Sequence, residues 1–216
     1  MARVAKTETG IDDDREAGAS VLIGGHLRTA RLAKKLSIRE LSRRVGISAS
    51  MISQVELGQA KPSVGTLYAM TRELGISLDA IFDSAPELSP NHTEGAEGPV
   101  QRHHGRATIY LASGVRWEAL TPYGAQPIDF HVLTYAVGAE SCPPDQLIAH
   151  GGSEYGYVLS GLLEITLESK KYEVGPGDAV SFESTTPHRL ANIGNVPMQA
   201  IWVTVGRSND NRIGES

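Results

Sequence analysis

The spacing of hydrophobic residues changes along this chain from a helical period to a strand period. Between Gly24 and Phe82, apolar residues recur every three or four positions, which is typical of amphipathic helices. From residue 106 onward, short β-prone runs such as FHVLTYAV and MQAIWVTV recur between Gly, Pro and Asn turns. The pattern predicts an all-α unit followed by an all-β barrel or sandwich.

Capping residues divide the helical unit into short helices. Ser37 stands three residues before Glu40, a capping box that opens a helix, and Gly46 ends that helix. Ser48 opens the next helix, which Gly58 closes. With one helix before this pair and two after it, the last beginning at Ser77, five helices are predicted.

Composition sets the remaining boundaries. We expect a disordered arm in the polar, aperiodic start and a linker in the segment rich in Pro, Gly, Ser and Glu. The predicted segments are an arm at 1–23, a helical domain at 24–82, a linker at 83–105, a β domain at 106–207 and a disordered tail at 208–216.

Charge is distributed unevenly between these segments. Residues 24–82 hold nine Lys and Arg against four Asp and Glu, a net charge of +5, although the whole chain carries −5. A basic unit joined to an acidic one is typical of a phosphate-binding domain attached to another domain. With no apolar run near ~18 residues and no secretory signal, we expect a cytoplasmic protein without membrane partners.

The segment SIRELSRRVGISASMISQVELGQAKPSVGTL closely resembles the phage-repressor-like (XRE-type) helix-turn-helix family. The resemblance rests on Ser42, Gly46, Ile52, Glu56 and the exit Lys61-Pro62-Ser63, and it covers residues 24–82. It implies that the second helix of the pair lies in the major groove of double-stranded operator DNA.

The resemblance also implies which side chains meet DNA. Gln54 is the candidate for reading a base, because an amide forms two hydrogen bonds with adenine. Arginine and lysine side chains attract the phosphates without regard to sequence. The complete predicted set is Arg39, Arg43, Arg44, Ser48, Ala49, Ser50, Met51, Ser53, Gln54 and Lys61. Many family members carry Gln where this chain has Ile38. The phosphate contact of that Gln is therefore either replaced by one from Arg39 or missing.

Two further stretches, HGGSEYGYVLSG and GPGDAVSFESTTPHRLANIG, resemble the two cupin signatures. With SGVRWEALTP they cover residues 106–205 and look like the sensor half of regulators built as helix-turn-helix plus cupin, the putrescine-utilisation repressors among them. The resemblance implies a double-stranded β-helix, or jelly-roll, barrel that binds a small polar effector.

A full cupin metal site takes two His and a Glu from the first signature and one His from the second. Here Ile148 occupies the position of the first His, which leaves His150, Glu154 and His188. Two His and one carboxylate suit Fe(II) and also accept Zn or Ni. In the alternative, these side chains anchor an organic ligand by hydrogen bonds and bind no metal.

The leading hypothesis is therefore a homodimeric, sequence-specific transcription regulator and not an enzyme. The alternative is a mononuclear-iron enzyme of the phosphonate epoxidase type, which the same triad and domain order also resemble. A third hypothesis is an interaction module that only borrows the DNA-binding fold. The complete recognition-helix pattern and the basic segment favour the regulator.

Overall fold

Helices precede strands along the chain in the computed structural model, which describes residues 5–76, 81, 96–97, 100–103, 106–121 and 128–206. The helices in this part of the chain are α1 (Ala5–Ala33), α2 (Ile38–Val45), α3 (Ala49–Glu56) and α4 (Val64–Leu74). Buried apolar side chains from all four helices, among them Leu27, Leu41, Ile52 and Leu67, form one core.

The predicted caps are present at both helices of the helix-turn-helix. Ser37 Oγ accepts a hydrogen bond from the Glu40 N–H at 3.1 Å, and Ser48 Oγ accepts one from the Met51 N–H at 3.1 Å. Gly46 ends α2 with φ 81°, a left-handed conformation that glycine adopts without steric cost. These contacts fix the sharp turn between α2 and α3.

The N-terminal prediction was wrong where the structure describes it. Residues 5–23, assigned to a disordered arm, belong to the 29-residue helix α1. Ala19 and Ile23 are buried and with Leu27 continue one apolar stripe at four-residue spacing, which the surrounding polar residues concealed. At Gly24, a Cβ would lie 2.3 Å from Val55 O, so glycine allows α1 to approach α3 this closely.

Three other predictions fall largely or wholly outside the described residues. In the fifth helix, expected from Ser77, only Ile81 is described, and it is helical and buried. In the expected linker, β1 (Ala96–Glu97) and β2 (Val100–Gln101) pair antiparallel, so that part has strand structure. The predicted tail at 208–216 lies outside the described residues.

The C-terminal half forms two antiparallel sheets, as the strand period predicted. The strands are β3 (Thr108–Tyr110), β4 (Val115–Ala119), β5 (Ile128–Tyr135), β6 (Ser153–Ser160), β7 (Leu163–Leu167), β8 (Lys170–Val174), β9 (Ala179–Glu183), β10 (His188–Asn192) and β11 (Met198–Val205). One sheet has the order β3-β4-β5-β11-β6-β9, and the other has the order β10-β7-β8. Their inward residues, among them Val158, Ile165 and Met198, are fully buried.

Helix α4 packs against one end of this barrel. The Gly65 N–H donates to Ser141 O at 3.1 Å, and the Ala112 N–H donates to Pro62 O at 2.9 Å. A Cβ at residue 65 would lie 2.9 Å from Ile148 Cγ2, so the helix backbone approaches the barrel at a glycine. The helical domain is therefore joined to the barrel by main-chain hydrogen bonds as well as by side chains.

A buried ion pair stabilises the helical domain. Arg31 Nε and Nη2 donate to the two carboxylate oxygens of Glu56 at 2.6 Å and 2.8 Å, and Arg31 Nη1 donates to Leu36 O at 2.8 Å. The hydrogen bond to Glu56 raises the pKa of Arg31 despite its burial. This pair joins α1 to α3.

We expect loss of either partner to destabilise the helical domain much more than loss of both. Arg31→Ala or Glu56→Ala leaves an uncompensated buried charge, which costs about 3–5 kcal/mol of unfolding free energy. The double variant Arg31→Met/Glu56→Leu removes both charges and retains most of the stability. Urea unfolding followed by far-UV circular dichroism measures the effect.

The exposed Arg43→Ala variant is the control and should change the free energy of unfolding little. Both tryptophans, Trp117 and Trp202, lie on barrel strands, so their fluorescence reports barrel unfolding separately. A double variant as unstable as the sum of the single variants would mean that the two charges do not depend on each other.

Candidate nucleic-acid interface and barrel site

Helix α3 has one buried face and one exposed face. Ile52 and Val55 point into the core, whereas Ser50, Met51 and Gln54 are exposed. The exposed face follows directly on the Ser48 cap, where the helix N-terminus also favours a phosphate group. Gln54, the predicted base-reading side chain, is therefore accessible together with Ser50 and Met51.

Most of the predicted DNA contacts are exposed. Exposed members of the predicted set are Arg39, Arg43, Arg44, Ser48, Ser50, Met51, Gln54 and Lys61, and the half-buried members are Ala49 and Ser53.

Intramolecular carboxylates already bind several of these cations. Arg43 Nη2 and Arg44 Nε lie 2.7 Å and 2.8 Å from Glu40 Oε1, and Lys61 pairs with Glu16 of α1. The hydrogen bonds from Arg43 and Arg44 lower the pKa of Glu40. Phosphates must compete with these carboxylates, whereas Arg39 forms no ion pair with any residue that the structure describes.

The barrel brings together the three predicted site residues. Glu154 lies on β6, and His188 begins β10. His150 lies in the segment before β6, where its main-chain N–H donates to Ser184 O at 3.0 Å. Glu154 Oε1 is 2.9 Å from His150 Nε2 and 3.3 Å from His188 Nε2. We call these three residues the barrel site.

Neighbouring groups orient each member of the barrel site. His188 Nδ1 lies 2.8 Å from Thr186 O, and His150 Nδ1 lies 3.1 Å from Gly151 O. A carbonyl at Nδ1 favours the tautomer with its proton on Nδ1, which leaves the Nε2 lone pair facing Glu154.

The second oxygen of Glu154 is held by an indole. Trp202 Nε1 donates to Glu154 Oε2 at 2.7 Å. The Trp202 ring lies across Gly156, where a Cβ would be 2.1 Å from Trp202 Cζ3. Glycine at this position therefore lets Trp202 reach the carboxylate and direct Oε1 towards the histidines.

This donor set fits a divalent transition metal. Two Nε2 lone pairs facing one carboxylate oxygen within 3.3 Å are stabilised by a cation between them. Ligand atoms of the three residues lie within 4.8 Å of one another.

The barrel site borders a small inner cavity and a larger outer cleft. The inner cavity has a volume of about 30 Å³ and is also lined by Trp117, His131 and Trp202. The outer cleft has a volume of about 450 Å³ and lies between the α2–α3 turn, α4 and residues 146–151. Tyr68, Ile148 and His150 line both spaces.

Sequence reasoning missed part of this environment. Tyr68 of α4 stacks on His150 with ring centroids 4.4 Å apart, and no local motif distinguishes it from a core aromatic residue. Trp117 lies in the quoted SGVRWEALTP segment, but it was not assigned to the site. Asn192, at the end of the second cupin signature, donates to the carbonyls of Tyr135, Ala136 and Val196, so its role is structural.

Family comparisons agree with this architecture. A helix-turn-helix family model matches residues 27–81, and a cupin domain model matches residues 131–204. The chain is thus a helix-turn-helix protein of the XRE type with a C-terminal cupin domain, and it is homologous to HTH-type transcriptional regulators. In the part of the chain that the structure describes, no helix is long and apolar enough to cross a membrane.

The similarity to individual relatives extends over most of both chains. The HTH-type transcriptional regulator PuuR of Escherichia coli is 24% identical over 180 residues, which cover 78% of this chain and 86% of PuuR. The regulator SutR of the same organism is 25% identical over 171 residues, 78% of this chain and 85% of SutR. The crystal structure of an HTH_3 family transcriptional regulator from Vibrio cholerae shares the fold, with a TM-score of 0.63, 20% identity, and coverage of 88% of this chain and 98% of that one.

We expect purified, untagged protein to contain about one transition metal ion per chain, because the three barrel-site ligands supply one site. The His150→Ala/His188→Ala double variant should contain none. Elemental analysis by plasma mass spectrometry measures both. His103→Ala, which removes an exposed histidine outside the barrel site, is the control and should retain the metal. Metal-free parent protein that also fails to take up Fe, Zn or Ni would favour a purely organic ligand.

Proposed function

We propose that this protein is a sequence-specific DNA-binding transcription regulator whose cupin barrel binds a small polar effector, together with Fe, Zn or Ni at His150, Glu154 and His188. One observation carries the proposal: a helix-turn-helix with an exposed recognition face is packed, through α4, directly on the end of the barrel that holds the site. We place this activity in the cytoplasm.

Base reading is assigned to Gln54, with Ser50, Met51 and Ala49 completing the surface in the major groove. An amide that bonds two groups on adenine discriminates against the wrong base by about 1–3 kcal/mol. Arg39 supplies phosphate attraction, and Arg43, Arg44 and Lys61 do so after exchanging their carboxylate partners for phosphates.

Effector control requires that ligand binding in the barrel favour one arrangement of the helical domain over another. Contact between His150 and Tyr68 supports such control, because a change at the barrel site alters the surface on which α4 rests. The direction of the response, repression or activation, follows from which arrangement fits the operator.

A homodimer would double the number of bases read, with two recognition helices about 34 Å apart. Its proposed interface is the outer face of the large sheet. On β6, Tyr155, Tyr157 and Leu159 are 50%, 47% and 46% exposed. Val203 and Ile201 of β11 lie beside the two tyrosines and extend the apolar surface. Such a surface is typical of a protein interface.

The epoxidase alternative uses the same three barrel residues but gives no role to the exposed face of α3. Substrate turnover with Fe(II) and oxygen, without sequence-specific DNA binding, would favour the enzyme over the regulator.

We expect Gln54→Ala to weaken binding to the preferred operator by about 5- to 150-fold, the equivalent of 1–3 kcal/mol, and to leave non-specific binding unchanged. Repeated selection from a random duplex pool defines the operator, and fluorescence anisotropy measures affinity. Arg39→Ala should weaken specific and non-specific binding alike and reduce the salt slope by about 1.

The matched control is Lys170→Ala, which removes one exposed cation from the barrel strand β8. It should change neither affinity nor salt slope. Failure of the selection to enrich any sequence, or equal losses for Gln54→Ala and Lys170→Ala, would contradict the proposed reading of DNA.

We expect Tyr157→Asp to convert the dimer to a monomer, because two charges would be buried in a two-fold interface. Light scattering coupled to size-exclusion chromatography measures the mass. Tyr172→Asp is the control, since Tyr172 is 46% exposed on the other sheet. Dimers that persist in Tyr157→Asp and dissociate in Tyr172→Asp would place the interface on the small sheet.

A further inference from the structure

We propose that the cleft between the two domains is the binding site of the organic effector, a small molecule whose oxygen-bearing end passes Tyr68 and accepts a hydrogen bond from Trp117 inside the barrel. The inference rests on the proposed function and names the ligand class and the site of that same effector. Three features support this site: the sizes of the two cavities, the side chains between them, and the buried Nε1–H donor of Trp117.

The sizes of the two spaces place the body of an organic effector in the cleft and only its end group in the barrel. A space of about 30 Å³ holds a metal ion or the end group of a molecule, whereas small-molecule sites usually have volumes of roughly 300–1,000 Å³. The interdomain cleft, at about 450 Å³, falls in that range. An effector that reaches the barrel site must therefore have most of its body in the cleft.

Tyr68, His150 and Ile148 border both spaces, and the first two form a stacked pair. The rings of Tyr68 and His150 lie 4.4 Å apart at an interplanar angle of 14°, and both side chains line the cleft and the inner cavity. Tyr68 is only half-buried and is carried by the helical domain. Because Tyr68 borders both spaces, we assign its side chain the position of a gate between them.

Trp117 indicates what the end group carries. The side chain lines the inner cavity and is 5% exposed, and no residue that the structure describes accepts a hydrogen bond from its Nε1–H. By contrast, the Trp202 Nε1–H is satisfied by Glu154. Buried donors are almost always paired, so Trp117 fits an acceptor oxygen of a ligand, such as that of an amide or another carbonyl group.

The first test measures access to the inner cavity with acrylamide, a small amide that quenches tryptophan fluorescence. Trp117 and Trp202, the two tryptophans of the chain, are only 5% and 4% exposed, so quenching of the parent is weak. Tyr68→Ala should raise the Stern–Volmer constant at least about threefold, because close packing no longer excludes the quencher. Tyr172→Ala, which removes an exposed tyrosine from β8, should leave the constant unchanged.

Unchanged quenching in Tyr68→Ala with a native circular dichroism spectrum would overturn the proposed route. If that variant does not fold, Tyr68→Leu retains apolar bulk without the ring and makes the same test. Quenching that rises equally in the Tyr172→Ala control would also contradict a gate at Tyr68.

The second test observes the hydrogen bond itself. Two indole N–H signals are expected in a ¹H–¹⁵N correlation spectrum, and Trp117→Phe identifies the one from Trp117. Titration with acetamide should move the Trp117 signal downfield and leave that of Trp202, which already donates to Glu154, in place. Methylammonium, which has donors but no acceptor, should move neither signal.

A Trp117 signal that does not move, or that moves together with that of Trp202, would overturn the assigned end group. Operator binding and its dependence on Gln54 are measured separately, so these outcomes would not contradict the proposed function as a transcription regulator. Loss of selective DNA binding with a responsive Trp117 signal would instead preserve the ligand site and contradict the proposed function.

Discussion

The contact on which the rest of this architecture depends is the packing of α4 on the end of the barrel. Two main-chain hydrogen bonds, Gly65 to Ser141 and Ala112 to Pro62, fix the helix there. Because Gly65 has no side chain, the backbone comes close enough for Tyr68 to stack on His150. A helix of the helix-turn-helix domain thereby supplies one wall of the proposed ligand site, and the two domains meet at the barrel site.

The buried charged groups of the two domains have different partners. Arg31 and Glu56 neutralise each other through two parallel hydrogen bonds, so the helical core contains a charge pair that needs no ligand. The barrel instead directs one carboxylate oxygen towards two imidazole nitrogens. The proposed metal ion would stabilise that arrangement, whereas the Arg31–Glu56 pair needs no ligand.

Local signals predicted much of this structure, whereas contacts between distant segments were not predictable. Ser37, Gly46 and Ser48 act on their immediate neighbours, so the turn of the helix-turn-helix follows from sequence. The length of α1 was missed because its burial depends on packing against α3. Tyr68 was missed for the same reason: its role arises only when α4 meets a segment some 80 residues further on, a placement set by tertiary packing.

The energy available at the boundary limits how strongly an effector can act through it. An aromatic pair such as Tyr68–His150 contributes about 0.5–1.5 kcal/mol beyond its buried area. If the Tyr68–His150 contact exists either only with or only without bound effector, DNA affinity would change by about 2- to 12-fold per chain. In the proposed dimer, a response of both chains together would square that factor, to about 5- to 150-fold. A modest contact in each chain would then suffice for the proposed regulation of operator binding.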